Sequence, residues 1–161
     1  MAETNMLNLT ENEDTLRGKY LIFTMENELY GIEIRYITEI IGVQPITGMP
    51  EMPEYVKGVT NLRGKIIPVM DARMRFKRAV REYDGKTCII VLDTNDIALG
   101  LVVDGVSEVI IIKDEEIVLP PNINHGGHGY IKGIGKSEGS VKLILDCKRL
   151  LNDDELIRLG I

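Results

Sequence analysis

The two histidines, His125 and His128, are the residues whose type and spacing most resemble a chemical site. They lie three positions apart in the run HGGHG over 125–129, a spacing that would let two imidazoles share a metal ion if a carboxylate joined them. The glycines between them give a flexible backbone that holds ligands poorly. The run also follows two prolines and not a strand leading into a helix, which argues against a phosphate-binding loop. We predict no metal and no cofactor.

Asp71 and Asp146 are the carboxylates that most resemble a pair for general acid–base chemistry. Each closes a strand-like run and precedes a short stretch of helical character. A side-chain oxygen at such a place accepts hydrogen bonds from the free N–H groups of a first helical turn, so both are predicted to be helix N-caps. The chain contains no Walker-type phosphate-binding loop. We predict no catalytic residue and no enzyme.

Composition and charge exclude further classes of function. The net charge is −6 and the isoelectric point about 5.0, which argues against binding to nucleic acid or to anionic lipid. Cys88 and Cys147 lie far apart beside apolar residues, as expected for small buried side chains. Neither a signal peptide nor an apolar run near the ~18 residues of a membrane span is present. The sequence predicts a cytoplasmic protein without membrane insertion.

Short strands are the elements that must position these residues. Aromatic residues make up only 5% of the chain and Trp is absent, so Ile, Val and Leu must fill the core, and β-branched residues favour strands. Turn residues such as Glu26-Asn27 and Arg63-Gly64 separate the apolar runs. We predict strands at 20–25, 28–34, 44–47, 55–62, 65–70, 87–92, 98–103, 108–112, 130–135 and 141–145.

Helical signals are few. Ile34, Ile37 and Ile41 have the spacing of one helix face, which predicts a short turn between strands. Asn152 or Asp153 would cap a C-terminal helix over 152–161. The polar, acidic residues 1–17 show no sustained periodicity, and we predict a flexible tail.

The chain repeats itself. One set of residues recurs after 69 positions: Gly31, Ile34, Ile37, Glu39 and Ile40 match Gly100, Val103, Val106, Glu108 and Val109. A second set recurs after 75 positions: Tyr55, Val56, Gly58, Gly64, Ile66, Asp71 and Arg73 match Tyr130, Ile131, Gly133, Gly139, Val141, Asp146 and Lys148. We predict one domain over 18–161 that contains two similar subdomains, about 18–85 and 86–151, with a groove between them.

The repeats differ in the charge of one turn residue. Arg63 occupies the place that Glu138 occupies in the second repeat. A purely structural requirement would not select opposite signs at equivalent positions. The guanidinium of Arg63 presents a planar fork of donors suited to a carboxylate or to backbone carbonyls. A solvated turn arginine is the alternative interpretation of the same residue.

Long stretches of this sequence resemble the CheW family of chemotaxis adaptors. The run YVKGVTNLRGKIIPVMDAR over 55–73 is the most specific, and YLIF at 20–23, YGIEI at 30–34, GLVVDGVSEV at 100–109 and YIKGI at 130–134 support it. The resemblance implies a mainly β fold of two intertwined five-stranded SH3-like barrels with short helices. It also implies a scaffold recruited to membrane receptor arrays.

The resemblance also implies partners and a set of contact residues. The partners are the cytoplasmic tip of methyl-accepting chemotaxis receptors, whose helices would lie in the groove, and the regulatory domain of the histidine kinase CheA. The residues at matching positions are Ile34, Ile37, Glu39, Gly58, Arg63 and Val106, with Ile123 in a region of a second kinase contact.

Other functions remain as alternatives. A CheV-like protein would carry a fused receiver, for which a chain ending at Ile161 leaves no room, and no phosphotransfer segment precedes the domain as in the kinase itself. A small-molecule binder or an enzyme would need convergent polar groups in the groove. A nucleic-acid-binding barrel would need a basic groove with stacking aromatics.

Overall fold

Eleven strands and five short helical segments form the described residues 13–94, 97–120 and 129–151 of the computed structural model. The strands are β1 (Lys19–Met25), β2 (Glu28–Glu33), β3 (Ile37–Gly42), β4 (Val56–Leu62), β5 (Lys65–Asp71), β6 (Cys88–Asp93), β7 (Ala98–Val103), β8 (Gly105–Ile111), β9 (Ile117–Val118), β10 (Ile131–Ser137) and β11 (Ser140–Leu145). The helices are α1 (Glu13–Leu16), α2 (Ala72–Arg75) and the 3₁₀ segments η1 (Ile34–Tyr36), η2 (Asp114–Glu116) and η3 (Cys147–Arg149).

Each of the two sheets combines strands of both repeats. The six-stranded sheet, barrel A, has the order β8-β1-β2-β11-β10-β9, and the five-stranded sheet, barrel B, has the order β3-β6-β7-β5-β4. The first hairpin of each repeat therefore joins the sheet of the other repeat, where β2 pairs in parallel with β11 and β7 pairs in parallel with β5. This exchange confirms the prediction of a mainly β fold with two intertwined SH3-like units, but one sheet has six strands where five were predicted, because the short strand β9 adds to its edge.

Three hydrophobic clusters follow from this exchange. Alternate residues of β1 face opposite sides: Tyr20 and Ile22 lie inside barrel A, whereas Leu21 and Phe23 lie in a central core between the barrels. Strand β6 repeats the pattern in barrel B, with Ile89 and Val91 inside and Ile90 and Leu92 in the central core. Both faces of these strands are buried, and each fully buried aliphatic side chain contributes roughly 1.5–3 kcal/mol.

The segment 34–47 differs in part from the prediction. A short helical turn is present, but η1 ends at Tyr36 and the next residue, Ile37, begins β3. The pairing of β3 with β6 overrides the helical spacing of the isoleucines. The predicted strand 44–47 is reduced to a bridge between Thr47 and Val59. Strand β9 was not predicted, because two residues show no periodicity.

The capping prediction is confirmed for both aspartates. Asp71 Oδ1 accepts a hydrogen bond from the Met74 amide at 3.3 Å, and Asp146 Oδ1 accepts one from the Lys148 amide at 3.1 Å. Their carboxylates therefore hold the first turns of α2 and η3.

The two thiols are free, and burial disfavours their thiolates. Cys147 is buried and Cys88 is half-buried. Desolvation raises the pKa of Cys88 to about 11 and that of Cys147 to about 12. Neither thiol is poised for nucleophilic chemistry.

A polar network centred on Arg73 connects the two barrels. Arg73 lies in α2 next to barrel B and donates to both carboxylate oxygens of Asp104, at 2.8 and 2.7 Å. It also donates to Glu26 Oε1, in the β1–β2 turn of barrel A, at 3.1 Å. Desolvation raises the pKa of Asp104, but the hydrogen bonds from Arg73 and from the Glu26 amide outweigh it, and the pKa lies below its ordinary value.

An aromatic stack extends this connection through the segment between the repeats. Phe76 stacks between Tyr30 and Tyr130 with ring centroids 5.0 Å from each, and Tyr30 stacks on Phe23 at 5.4 Å. The stack joins β1, β2 and the end of α2 to the residue before β10. The two barrels therefore share a packed interface and not only a covalent linker.

Several predicted features lie outside the described residues. These are the C-terminal helix over 152–161, Ile123 and the histidines His125 and His128. Of the predicted tail over 1–17, the described part contains α1.

Candidate functional site

The β4–β5 turn is the local structure on which the site is built. Leu62 pairs with Lys65, so Arg63 and Gly64 are the two central residues of a tight hairpin. Both have positive φ, 54° and 86°, which is typical of a type I′ turn. An L-residue other than glycine costs roughly 1–2 kcal/mol in this left-handed conformation, so Arg63 is not the residue that the backbone alone would select.

Arg63 and Glu39 form an ion pair at the surface. The Arg63 guanidinium, in the β4–β5 turn, donates a hydrogen bond from Nη1 to Glu39 Oε2 on β3. Strands β3 and β4 are the two end strands of the barrel B sheet. The Arg63 side chain is 73% exposed, whereas that of Glu39 is only 23% exposed. This hydrogen bond raises the pKa of Arg63. Within the described residues the structure gives the guanidinium no second partner, so its other N–H groups face solvent.

Two further contacts hold the backbone of this turn. Asn61 Oδ1 accepts a hydrogen bond from the Gly64 amide at 2.8 Å. The hydroxyl of the buried Thr60 donates to the Pro45 carbonyl at 2.8 Å, which ties β4 to the segment after β3. Sequence reasoning missed Asn61, although an Asn just before a Gly-containing turn is a recognised turn signal.

Gly58 is explained by the fold. It is buried with φ +147°, and a Cβ at this position would lie 2.0 Å from the Thr47 carbonyl oxygen. The adjacent Val59 exchanges backbone hydrogen bonds with Thr47 at 2.8 and 2.9 Å. The structure thus places Gly58 where two backbone segments cross, and it offers no side chain to a partner.

Ile34 and Ile37 are core residues. Only 4% and 6% of these residues are exposed, and both side chains belong to the central core. Direct partner contact through them does not fit this burial, because intramolecular packing already occupies both side chains. They support η1 and the start of β3, the strand that carries Glu39.

Val106 lies apart from the Glu39–Arg63 pair. It is 36% exposed and pairs with Phe23 in barrel A, at the position that repeat matching assigns to Ile37. The structure therefore brings Glu39 and Arg63 into contact, places Val106 on the other barrel, and leaves Ile123 outside the described residues.

The β10–β11 turn has the same backbone but different side chains. Glu138 and Gly139 have φ values of 52° and 77°, which confirms that they match Arg63 and Gly64. Glu138 and Glu108 are both exposed acids, so the counterpart of the Glu39–Arg63 pair carries two like charges. Lys142 Nζ donates to the Ser137 carbonyl and is buried inside barrel A.

Two cavities lie at the surface of the described residues. A polar cavity of about 300 Å³ beside α1 mixes charges of both signs from Arg17, Glu33, Arg35 and Asp114. An open cavity of about 360 Å³ lies at the β10–β11 turn. Among the residues described, no three His, Cys, Asp or Glu side chains converge to hold a metal ion, and no helix is long and apolar enough to cross a membrane.

The comparisons with known proteins agree with this architecture. A family model for the CheW-like domain matches residues 19–155. The chemotaxis protein CheW of Klebsiella aerogenes is 37% identical over 144 residues, 89% of this chain and 87% of that protein. That of Treponema pallidum is 34% identical over 145 residues, with coverage of 86% and 84%. The solved structure of the scaffolding protein TtCheW from Thermoanaerobacter tengcongensis is 34% identical with a TM-score of 0.79, covering 86% of this chain and 94% of that one. The chain therefore belongs to the CheW-like domain family.

Proposed function

We propose that this chain is a non-enzymatic adaptor that couples methyl-accepting chemotaxis receptors to the histidine kinase CheA. The observation that carries the proposal is its likeness, over most of both chains, to proteins named chemotaxis protein CheW and to a structure described as a scaffolding protein. We further propose that it acts in the cytoplasm, at membrane receptor arrays.

The architecture supports a scaffold function because the two barrels share strands and a core and therefore form a single rigid unit. Each barrel contains a hairpin from the other repeat, so neither sheet is complete without both halves of the chain. The central core and the Arg73 network hold the two together. A rigid body of this kind can keep two partners at a fixed distance and orientation, which is what coupling requires.

For partner contact we propose Glu39 and Arg63 on barrel B and Val106 on barrel A, with Ile123 as a further contact to the kinase. The exposed guanidinium fits a carboxylate or the backbone carbonyls of the regulatory domain of CheA. The buried Ile34, Ile37 and Gly58 shape the surface that carries Glu39 and Arg63. For the receptor we propose its helical tip in the groove between the barrels, where apolar anchors and rim charges recognise a helix.

Co-sedimentation with receptor-bearing membranes tests the proposal. The wild-type protein is expected to sediment with the membranes, to recruit CheA from the same source, and to be required for receptor control of its kinase activity. A soluble fraction without membranes controls for aggregation. If a folded sample binds neither partner, the adaptor role is wrong and the small-molecule alternative becomes the next one to test by thermal shift.

A further inference from the structure

The Asn61 side chain is the only acceptor that the structure shows on the Gly64 amide among the described residues. The residue at the matching position of the second turn is Lys136, whose ammonium cannot accept a hydrogen bond. That turn is held instead by the Lys142 ammonium, which donates to the Ser137 carbonyl. The two turns thus share a backbone shape but use different side-chain contacts to hold it.

The conformation that Asn61 holds is the one that brings Arg63 to Glu39. Arg63 lies between Asn61 and Gly64, and its positive φ sets the direction in which the side chain leaves the strand. The guanidinium then meets a carboxylate 24 positions earlier in the chain. An arginine is disfavoured in the left-handed region, so we expect that loss of the Asn61 contact lets the turn sample other backbone conformations, in which the guanidinium leaves Glu39.

We infer that Asn61 is a positioning residue, which presents the Arg63 guanidinium to the partner by holding the β4–β5 turn. The inference rests on the proposed function, because it assigns Asn61 a part in the same binding surface. Asn61 itself needs no partner contact for this role. It acts through the Gly64 amide and the ion pair between Arg63 and Glu39.

A double-mutant cycle with the full-length chain and CheA tests the role. N61A is expected to weaken CheA binding about 2- to 10-fold, the range for loss of one neutral hydrogen bond. N61D keeps the acceptor oxygen and is expected to restore binding. In the R63A background, N61A is expected to add no further loss, since the residue it positions is gone. K136A, the matched change in the second turn, is expected to leave CheA binding unchanged.

A measurement without any partner separates this inference from the proposed function. In NMR spectra, N61A is expected to speed the exchange of the Gly64 amide and to shift the Arg63 guanidinium signal toward its position in E39Q. Unchanged exchange and an unchanged guanidinium signal would overturn the positioning role, as would a full additional loss of binding in N61A/R63A. If the wild-type protein does not bind CheA, the proposed function fails, and the NMR result still decides the role of Asn61.

Discussion

The β4–β5 turn and the β10–β11 turn have one backbone shape and opposite chemistry. Each places a non-glycine residue and then a glycine at positive φ, Arg63-Gly64 in one and Glu138-Gly139 in the other. Arg63 pairs with Glu39, whereas the residues matching this pair, Glu138 and Glu108, are both acids. The same backbone turn forms with a positively or a negatively charged first residue, so folding does not require either charge at that position.

The same contrast holds inside the barrels. Ile67 fills the interior of barrel B, and its counterpart in barrel A is the buried Lys142. Asn61 holds the first turn and Lys142 holds the second. Residues that match in the two repeats therefore identify the positions the fold needs, while unlike residues at matched positions mark where the two halves have different tasks.

The largest expected effect is at Gly58, where two backbone segments cross. G58A is expected to lower the free energy of unfolding by about 3–4 kcal/mol, because its Cβ would lie 2.0 Å from a backbone oxygen of Thr47. The matched G133A would meet the Ile117 Cγ2 methyl at 2.6 Å, with the Val118 carbonyl oxygen at an ordinary contact distance of 3.5 Å, and is expected to cost about 1–2 kcal/mol. Urea unfolding of both variants measures the difference, and equal losses would contradict it.

The next effect concerns the Arg73 network, which has no matching network in the second repeat within the described residues. R73A leaves the carboxylate of Asp104, only 12% exposed, without its main partner, and is expected to cost about 3 kcal/mol at neutral pH. The matched Lys148 is exposed, and K148A is expected to change stability by less than about 0.5 kcal/mol. Urea unfolding compares the two, and a similar small loss in both would show that the network adds little.

The pKa of Asp104 gives the R73A comparison a pH dependence. Because the folded-state pKa is below its ordinary value, the stabilisation by the ion pair is present above the ordinary carboxyl pKa and is lost as the pH falls through the folded-state value. The gap in unfolding free energy between wild type and R73A is therefore expected to narrow as the pH falls below the ordinary aspartate pKa of about 3.9. A difference in unfolding free energy that does not change with pH would mean that the contact of Arg73 with Asp104 does not account for the stabilisation.

Charge reversal at the turns is expected to act on binding and not on the fold. R63E brings a second carboxylate next to that of Glu39 and is expected to weaken CheA binding about tenfold or more, with an unfolding transition in urea close to that of wild type. E138R, the matched reversal, is expected to change CheA binding less than about twofold. Titration calorimetry and urea unfolding separate the two effects. An unfolded R63E protein, or an equal loss in E138R, would contradict a specific contact.

The smallest effect is expected in the interior of barrel A. K142I introduces the residue type found at the matching position of barrel B, and a well-packed apolar side chain often replaces a buried charge at no cost. The free energy of unfolding is expected to stay the same or rise by up to about 1 kcal/mol. V141A, at an exposed neighbouring position, serves as the control. A loss greater than that of V141A would show that the hydrogen bond to Ser137 outweighs the burial of the ammonium.

Local signals were enough to predict most strands, the capping roles of Asp71 and Asp146, and the equivalence of the two turns. These features depend on side-chain alternation, on glycine and on short-range hydrogen bonds. Strand β3 was not predicted, and the strand predicted at 44–47 is reduced to a bridge, because pairing with distant strands decides both. The burial of a residue could not be predicted from its match in the other repeat either, because Ile37 is in the core whereas the matched Val106 is on the surface.

Residue types at fixed spacing were enough to identify the repeat, the positions of its tight turns and the likeness to the CheW family. The folded structure was needed to show that the first hairpin of each repeat joins the other barrel, that Glu39 contacts Arg63, and that Ile34 and Ile37 are buried. The physical reason is that strand pairing and burial depend on contacts between residues far apart in the chain. The spacing of residues along the sequence does not show which distant segment packs against each face of a strand.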